Sequence, residues 1–66
     1  MFIELHTTDG CRLLVNPKEI QMLTEDSYGV TEVTLKGRSS IDVSETYDEV
    51  KTKIFNSNRE YGKWKG

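Results

Sequence analysis

The segment Val30–Phe55 reads VTEVTLKGRSSIDVSETYDEVKTKIF and carries the clearest structural pattern in the chain. Its first part contains two runs in which apolar and polar residues alternate, VTEVTL and SIDV, separated by a turn at Lys36-Gly37. Alternation with a period of two predicts β-strands, and a glycine between such runs favours a tight hairpin. The second part, SETYDEVKTKIF, changes to helical spacing, so the segment predicts a hairpin followed by one helix.

Thr46 is predicted to cap the N terminus of this helix. In a capping box, a threonine hydroxyl accepts the backbone N–H three residues later, and a glutamate at that position accepts the backbone N–H of the threonine. Thr46 and Glu49 have this spacing. Asp48 and Glu49 also lie in the first turn, where the helix dipole favours anions. We therefore attribute the acidic cluster of Glu45, Asp48 and Glu49 to capping and assign it no acid–base chemistry.

One face of the predicted helix is apolar. Tyr47, Val50 and Ile54 follow the spacing of three and four residues that places side chains on one helical face. Phe55 flanks this face and is expected to widen it. The segment 56–58, Asn-Ser-Asn, has low helix propensity, so we expect the helix to fray there. The apolar face is the part of the helix that we expect to cover the sheet.

Three further strands are predicted upstream of this unit. They span Met1–Thr7, Cys11–Val15 and Ile20–Glu25, with turns at Thr8-Asp9-Gly10, at Asn16-Pro17 and at 26–29. The third segment is also compatible with the end of a helical turn, but it is too short for an independent helix, so strand is favoured. Asn16 is expected to cap a short turn through Lys18-Glu19.

These patterns predict an α+β fold that is mainly β: a small, curled antiparallel sheet of four to five strands with one C-terminal helix. The predicted domain spans residues 1–58, and residues 59–66 form a short aromatic and basic tail. A chain of 66 residues makes one domain. A domain of this size buries only about 60% of the surface that its unfolded chain exposes, so such domains often rely on disulfides, metals or self-association.

The residue composition argues against two of these three sources of stability, disulfides and metal ions. Cys11 is the single cysteine and His6 the single histidine, which excludes an internal disulfide and argues against a metal site within one chain. Self-association therefore remains the expected source of additional burial. The net charge of −2 argues against general nucleic-acid binding, which requires a basic surface. The chain shows neither a long apolar run nor a signal-peptide pattern, and a lone thiol fits a reducing compartment, so we expect a cytoplasmic protein without a membrane segment.

Four residues are candidates for a protein interface: Phe2, Leu14, Tyr61 and Trp64. Leu14 breaks the alternation of the second strand, which indicates burial on both faces or at an interface. Phe2 lies on the face of the first strand opposite to its apolar face. Tyr61 and Trp64 alternate with lysines in the tail, and both residue types are enriched among interface anchors.

Arg12 and Arg38 are candidate ligand-binding residues, because they lie beside hairpin turns and a guanidinium can hold a phosphate or carboxylate through two hydrogen bonds. The alternative is that these charges only solubilise the turns. Cys11 and His6 come close together if the first two strands pair, but a nucleophilic pair needs a base that a third group orients. No third group is evident, so we assign no catalytic residue, no metal ligand and no cofactor.

The order of these motifs resembles the small flagellar and swarming-motility protein family, also called FlbD-like. The matching positions are Thr8-Asp9-Gly10, Leu14-Val15-Asn16, Ile20, Leu23, Glu25, Val33-Thr34-Leu35, Gly37, Ile41, Val43, Glu45-Thr46, Glu49-Val50 and Ile54. The resemblance covers most of residues 1–55 and implies a small bacterial or phage-borne protein without an active site. The same order resembles part of a LytTR-type DNA-binding domain, for which the available basic residues are Arg12, Lys36 and Arg38.

The sequence thus predicts a non-enzymatic cytoplasmic adaptor or regulator that binds another protein and forms a homo-oligomer, a dimer or higher. The chain belongs in a bacterium or, if a phage encodes it, in the cytoplasm of the host. The first alternative is an oligomer that sequesters a nucleotide or a similar anion between subunits through Arg12 or Arg38. The second is a nucleic-acid binding regulator, which the near-neutral charge disfavours.

Overall fold

The computed structural model describes residues 1–63, with side chains described through Ser57. Within this part of the chain, five strands precede one helix. The strands are β1 (Ile3–His6), β2 (Arg12–Val15), β3 (Ile20–Glu25), β4 (Thr31–Leu35) and β5 (Ser40–Val43), and the helix is α1 (Tyr47–Lys63). The predicted fold class, α+β and mainly β, is confirmed.

The strands form two antiparallel sheets. β1 pairs with β2, and in the second sheet β4 lies between β3 and β5. The two sheets meet at an isolated bridge between Thr7 and Val43, next to which the backbone N–H of Ser44 donates to the carbonyl of His6 at 2.8 Å. Instead of one curled sheet, the five described strands therefore form two sheets that meet at this bridge.

Two side chains shape the connections between strands, and the cap by Asn16 is the one that was predicted. The Oδ1 atom of Asn16 accepts the backbone N–H of Lys18 at 3.0 Å and caps a short 3-10 turn. The Oδ1 atom of Asp26 accepts the backbone N–H of Tyr28 at 2.8 Å in the turn before β4. In the turn between β1 and β2, Gly10 has a φ of 97°, a conformation that residues with a Cβ atom rarely adopt.

The core lies between the inner faces of the two sheets and the helix. Its buried apolar residues come from β1, β2, β4, β5 and α1, and they are Ile3, Leu5, Val15, Val33, Val43 and Val50. Partly buried residues complete it: Leu13, Ile20, Leu23, Leu35, Ile41 and Ile54. Each fully buried side chain of this size contributes about 1.5–3 kcal/mol through the hydrophobic effect. Ile3 and Leu5 of β1 face the core, and Val33 pairs with Ile41 in the second sheet.

The predicted third strand is observed as β3, and it contains a bulge. Ile20 pairs with Leu35, whereas Met22 pairs with Thr34, so the register shifts by one residue between them. The extra residue returns Leu23 to the face of Ile20, although strict alternation separates residues that are three apart. Both side chains pack against the core, while Met22 is exposed.

The predicted capping box is present at the start of α1. The Oγ1 atom of Thr46 accepts the backbone N–H of Glu49 at 3.1 Å, and the Oε1 atom of Glu49 accepts the backbone N–H of Thr46 at 2.9 Å. Val50 is fully buried and Ile54 packs against the core, as predicted. The cap therefore sets the start of the helix so that these two residues face the sheets.

Two expectations for the helix are wrong. Phe55 is 58% exposed and does not widen the packed face. At about 3.6 residues per turn it lies about 140° around the helix axis from Val50. The helix also does not fray at 56–58, but continues to Lys63. Ser57 is buried and lines a cleft with the first residues of the chain, so tertiary packing offsets the low propensity of this segment.

Candidate functional site

The hairpin of β1 and β2 has an inner face on the core and an outer face on the surface. The ladder pairs Ile3 with Val15 and Leu5 with Leu13 on the inner side. It pairs Glu4 with Leu14 and His6 with Arg12 on the outer side. Phe2 directly precedes β1 and alternates to the same side. We call this set the outer hairpin face: Phe2, Glu4, His6, Arg12 and Leu14.

Two large apolar side chains of the outer hairpin face are exposed. Leu14 is 69% exposed and Phe2 is 57% exposed. The helix packs through Val50 on the inner side of the hairpin, and Phe2 borders a cleft that Asn56 and Ser57 of the helix also line. Single exposed apolar residues are ordinary on protein surfaces, but Leu14 lies on β2 and Phe2 directly precedes β1, the strand that pairs with it. The fold thus brings two predicted interface residues onto the same surface, and Leu14 is not buried within one chain.

His6 is held between two carboxylates. Its backbone N–H donates to the Oε1 atom of Glu45 at 2.9 Å, and its ring Nδ1 lies 2.6 Å from the Oε2 atom of the same residue. Its ring Nε2 lies 3.4 Å from the Oε2 atom of Glu4. Since Ser44 also binds the carbonyl of His6, the segment that leads into α1 is fastened to β1 at this residue.

The environment of Glu45 favours its ionised form. Burial by itself raises the pKa of Glu45, but hydrogen bonds from the ring and backbone N–H of His6, its own backbone N–H and the charge of His6 outweigh burial. The pKa of Glu45 therefore lies below its ordinary value of 4.5. The assignment of Glu45 to the capping cluster is wrong, because Glu49 forms the cap and Glu45 binds a residue of β1.

The two candidate ligand-binding arginines lie in different surroundings. Arg12 belongs to the outer hairpin face, and Arg38 lies in the turn between β4 and β5. A shallow cleft of about 190 Å³ beside Arg12 is lined by Glu4, Leu13 and Leu14. The carboxylate of Glu4 opposes the binding of an anion there. In this cleft Arg12 therefore lies beside a carboxylate and two apolar side chains. Arg38 is not among the residues that line it.

The aromatic candidates of the tail are not placed by the structure. Trp64 lies outside the described residues. Tyr61 is part of α1, but its side chain lies outside the described side chains. The role of both as interface anchors stays a prediction.

An open groove of about 610 Å³ runs along the start of the helix. It is lined by Ser44, Glu45, Asp48, Glu49, Thr52 and Lys53. Two of its carboxylates are used inside the fold, since Glu45 binds His6 and Glu49 caps the helix. We therefore place the candidate functional site on the outer hairpin face rather than in this groove.

The structure does not assemble a catalytic pair from Cys11 and His6. Cys11 is exposed and is the ladder neighbour of Thr7, so its side chain alternates to the face opposite that of His6. The Nε2 atom of His6 lies against Glu4 instead. Across the described part of the chain, no three His, Cys, Asp or Glu side chains are grouped so that they could hold a metal ion.

Sequence reasoning missed the contact between His6 and Glu45. The alternation in the first strand predicts that Glu4 and His6 share a face, and the structure confirms their proximity. Glu45, however, is separated from His6 by 39 positions, and no local spacing indicates so distant a contact. Only the bridge between the two sheets brings these residues together.

Comparison of the chain with protein-family models, with curated proteins and with solved structures found no match. Among the described residues, no helix has both the length and the apolar character needed to cross a membrane.

Proposed function

We propose that this chain is a small non-enzymatic binding protein that forms a symmetric dimer through its outer hairpin face and acts as an adaptor or regulator. The observation that supports this proposal is the joint exposure of Leu14 and Phe2 on that face. The side chains that could carry chemistry are engaged within the fold, since His6 and Glu45 bind each other. We therefore propose that this surface binds a partner and does not catalyse a reaction.

A second copy of the chain is the partner that fits the outer hairpin face. Glu4 and Arg12 give this face one charge of each sign, so two copies related by a twofold axis meet without net repulsion. Glu4 is the ladder partner of Leu14, which places an apolar group directly beside a charged one. Full burial of Leu14 against a second copy contributes about 1.5–3 kcal/mol.

The edge of β2 adjoins this face and supports the same proposal. In the described part of the chain, β2 pairs with β1 along one side and forms the edge of its sheet on the other. An edge strand offers N–H and C=O groups to a further strand. A dimer centred on Leu14 covers the exposed apolar groups and this edge together.

The setting proposed for this protein is the cytoplasm of a bacterium or of a phage host. The exposed thiol of Cys11 fits a reducing compartment. The resemblance to the FlbD-like family suggests motility or phage regulation as the context, with a further protein as the regulated partner.

Sedimentation velocity over a range of micromolar concentrations tests the dimer. We expect the unmodified chain to sediment as a dimer at tens of micromolar. Leu14→Asp should raise the dimer dissociation constant by about tenfold or more, since the loss of about 1.4 kcal/mol corresponds to that factor. The substitution replaces an exposed side chain, so the circular dichroism spectrum should be unchanged.

Met22→Asp is the matched control for this experiment. Met22 is also an exposed apolar residue of an edge strand, but it lies on β3, in the other sheet. This variant should dimerise like the unmodified chain. A monomer at every concentration, or equal weakening by both substitutions, would overturn the proposed interface.

A further inference from the structure

His6 fastens β1 to the segment that leads into α1 through both its backbone and its ring. Its carbonyl accepts the backbone N–H of Ser44 at 2.8 Å, and its backbone N–H donates to Oε1 of Glu45 at 2.9 Å. Ring Nδ1 lies 2.6 Å from Oε2 of Glu45, and ring Nε2 lies 3.4 Å from Oε2 of Glu4. Because the ring takes part in this junction through both nitrogens, the junction depends on how many protons the ring carries.

Only the doubly protonated ring interacts favourably with both carboxylates. A neutral imidazole carries one N–H and one lone pair, whereas an imidazolium donates from both nitrogens. If the neutral ring donates its Nδ1–H to Glu45, the lone pair of Nε2 faces the carboxylate of Glu4, and the two repel each other. In the imidazolium a proton lies between Nε2 and that carboxylate, and the contact becomes an ion pair. The observed geometry is therefore that of the charged ring.

The charged groups that face the ring favour its second proton. Against the effect of burial, contacts with His6 keep the pKa of Glu45 below 4.5. This interaction is mutual, so the Glu45 carboxylate, whose side chain is only 12% exposed, also favours the charged ring. Glu4 adds a second negative charge from β1 itself. Arg12 on β2, the ladder partner of His6, opposes another cation, but it stands against two carboxylates in contact with the ring.

We infer that His6 is a proton-dependent clamp, whose charged ring ties β1 to the segment before α1 and whose loss of a proton weakens this junction. The unfolded chain does not hold the ring against Glu45, because 39 positions separate the two residues. The folded state therefore binds the second proton more readily than the unfolded state does. The stability that the clamp provides is present on the acidic side of the histidine range and is lost as pH rises through it. All of these contacts lie within one chain, so the inference does not rest on the proposed dimer.

Nitrogen-15 NMR of the imidazole ring tests the clamp directly. The chain has one histidine, so the ring signals belong to His6. Long-range proton–nitrogen spectra distinguish a ring with two N–H groups from a neutral ring with one. We expect the folded chain to keep both ring protons to a higher pH than the same chain unfolded in urea. Loss of the second proton at the same pH in both states would overturn the inference.

Urea unfolding across the histidine range measures what the clamp contributes to folding. As pH rises from about 5.5 to about 8, on either side of the ordinary value for histidine, the ring of the folded chain loses its second proton. We expect the ratio of folded to unfolded chain to fall by about two- to fivefold over this range, the size typical of one exposed ion pair. His6→Gln removes the titrating ring and should lose this dependence.

Two glutamate variants separate the clamp from a general effect of charge. Glu4→Gln removes the negative charge that faces Nε2, so it should reduce the pH dependence and bring the loss of the second ring proton to a lower pH. Glu25→Gln changes an exposed carboxylate at the end of β3 and is the matched control, which should keep the full pH dependence. Equal profiles for Glu4→Gln and Glu25→Gln would overturn the clamp, even if His6→Gln fails to fold.

Measurements at two protein concentrations distinguish the clamp from the proposed dimer. A clamp within one chain gives the same pH dependence at low and at high micromolar concentration. A pH dependence that appears only at the higher concentration would assign the proton to the association of chains and overturn the clamp. A chain that stays monomeric would overturn the proposed dimer and leave the clamp standing.

Discussion

Two glutamates near the start of the helix hold the junction between sheet and helix in different ways. Glu49 accepts the backbone N–H of Thr46 and caps the helix. Glu45 reaches back to β1 and accepts both the backbone N–H and the ring of His6. The first contact is local and the second joins distant segments, so their loss should have different consequences for stability.

Thr46→Ala should lower the free energy of unfolding by about 0.5–2 kcal/mol, because it removes the hydroxyl that accepts the N–H of Glu49. Urea denaturation followed by circular dichroism measures this change. Thr52→Ala is the control, since Thr52 is exposed within the helix and alanine has the higher helix propensity. If both variants unfold like the unmodified chain, the capping box does not stabilise the fold.

The pKa of Glu45 predicts how the stability of the chain depends on pH. Because the folded state lowers this pKa below 4.5, the unfolded state binds the proton more readily. The contribution of Glu45 is therefore fully present above pH 4.5 and is lost as pH falls through the lower folded-state pKa. Urea unfolding of the unmodified chain and Glu45→Gln should show a difference that shrinks across this range. A difference that is constant with pH would contradict this prediction.

At the scale of elements, the helix covers the inner faces of both sheets. Val50 is fully buried, and Ile54 packs against the same core one turn later. The bulge in β3 supports this packing, because it places Ile20 and Leu23 on the inner side together. Both the bulged strand β3 and the helix α1 therefore contribute side chains to the packing of the core.

Ile54→Ala should destabilise the fold by about 2 kcal/mol, the lower end of the range for such truncations, because Ile54 is only partly buried. Phe55→Ala is a matched control on the neighbouring residue, and it should change stability by less than about 0.5 kcal/mol, since Phe55 is exposed. Thermal denaturation compares the two variants. Equal losses from both would show that the helix packs in a different rotation.

At the scale of the whole molecule, the inner side of the β1–β2 hairpin is covered and its outer side is not. Leu14 and Phe2 remain exposed there, next to Glu4 and Arg12. A small domain gains most from burying such a surface, because its core alone provides little stability. The proposed dimer uses this one side of the molecule.

The net charge of the whole chain predicts weak binding to nucleic acid. With a formal charge of −2, the chain releases few counterions from duplex DNA, so no tight general binding should occur. Fluorescence anisotropy with a random duplex at physiological ionic strength measures this. Salt-sensitive binding with a sub-micromolar dissociation constant would instead favour the nucleic-acid alternative.

The sequence by itself determined the local structure of this protein. The capping box at Thr46, the strand periodicity, and the turns at Asn16 and Gly10 each depend on residues within a few positions of one another. Backbone preferences and short-range hydrogen bonds act at this range, so the pattern of the residues is enough to predict them. The sequence singled out Leu14 by its break in alternation, but only the structure shows that this side chain is exposed in the single chain.

Only the tertiary structure decided how these elements meet. The contact of His6 with Glu45 spans 39 positions, and it forms because the bridge at Thr7 brings β1 beside the segment that follows β5. The helix continues past Ser57 because this residue is buried, which outweighs its low propensity.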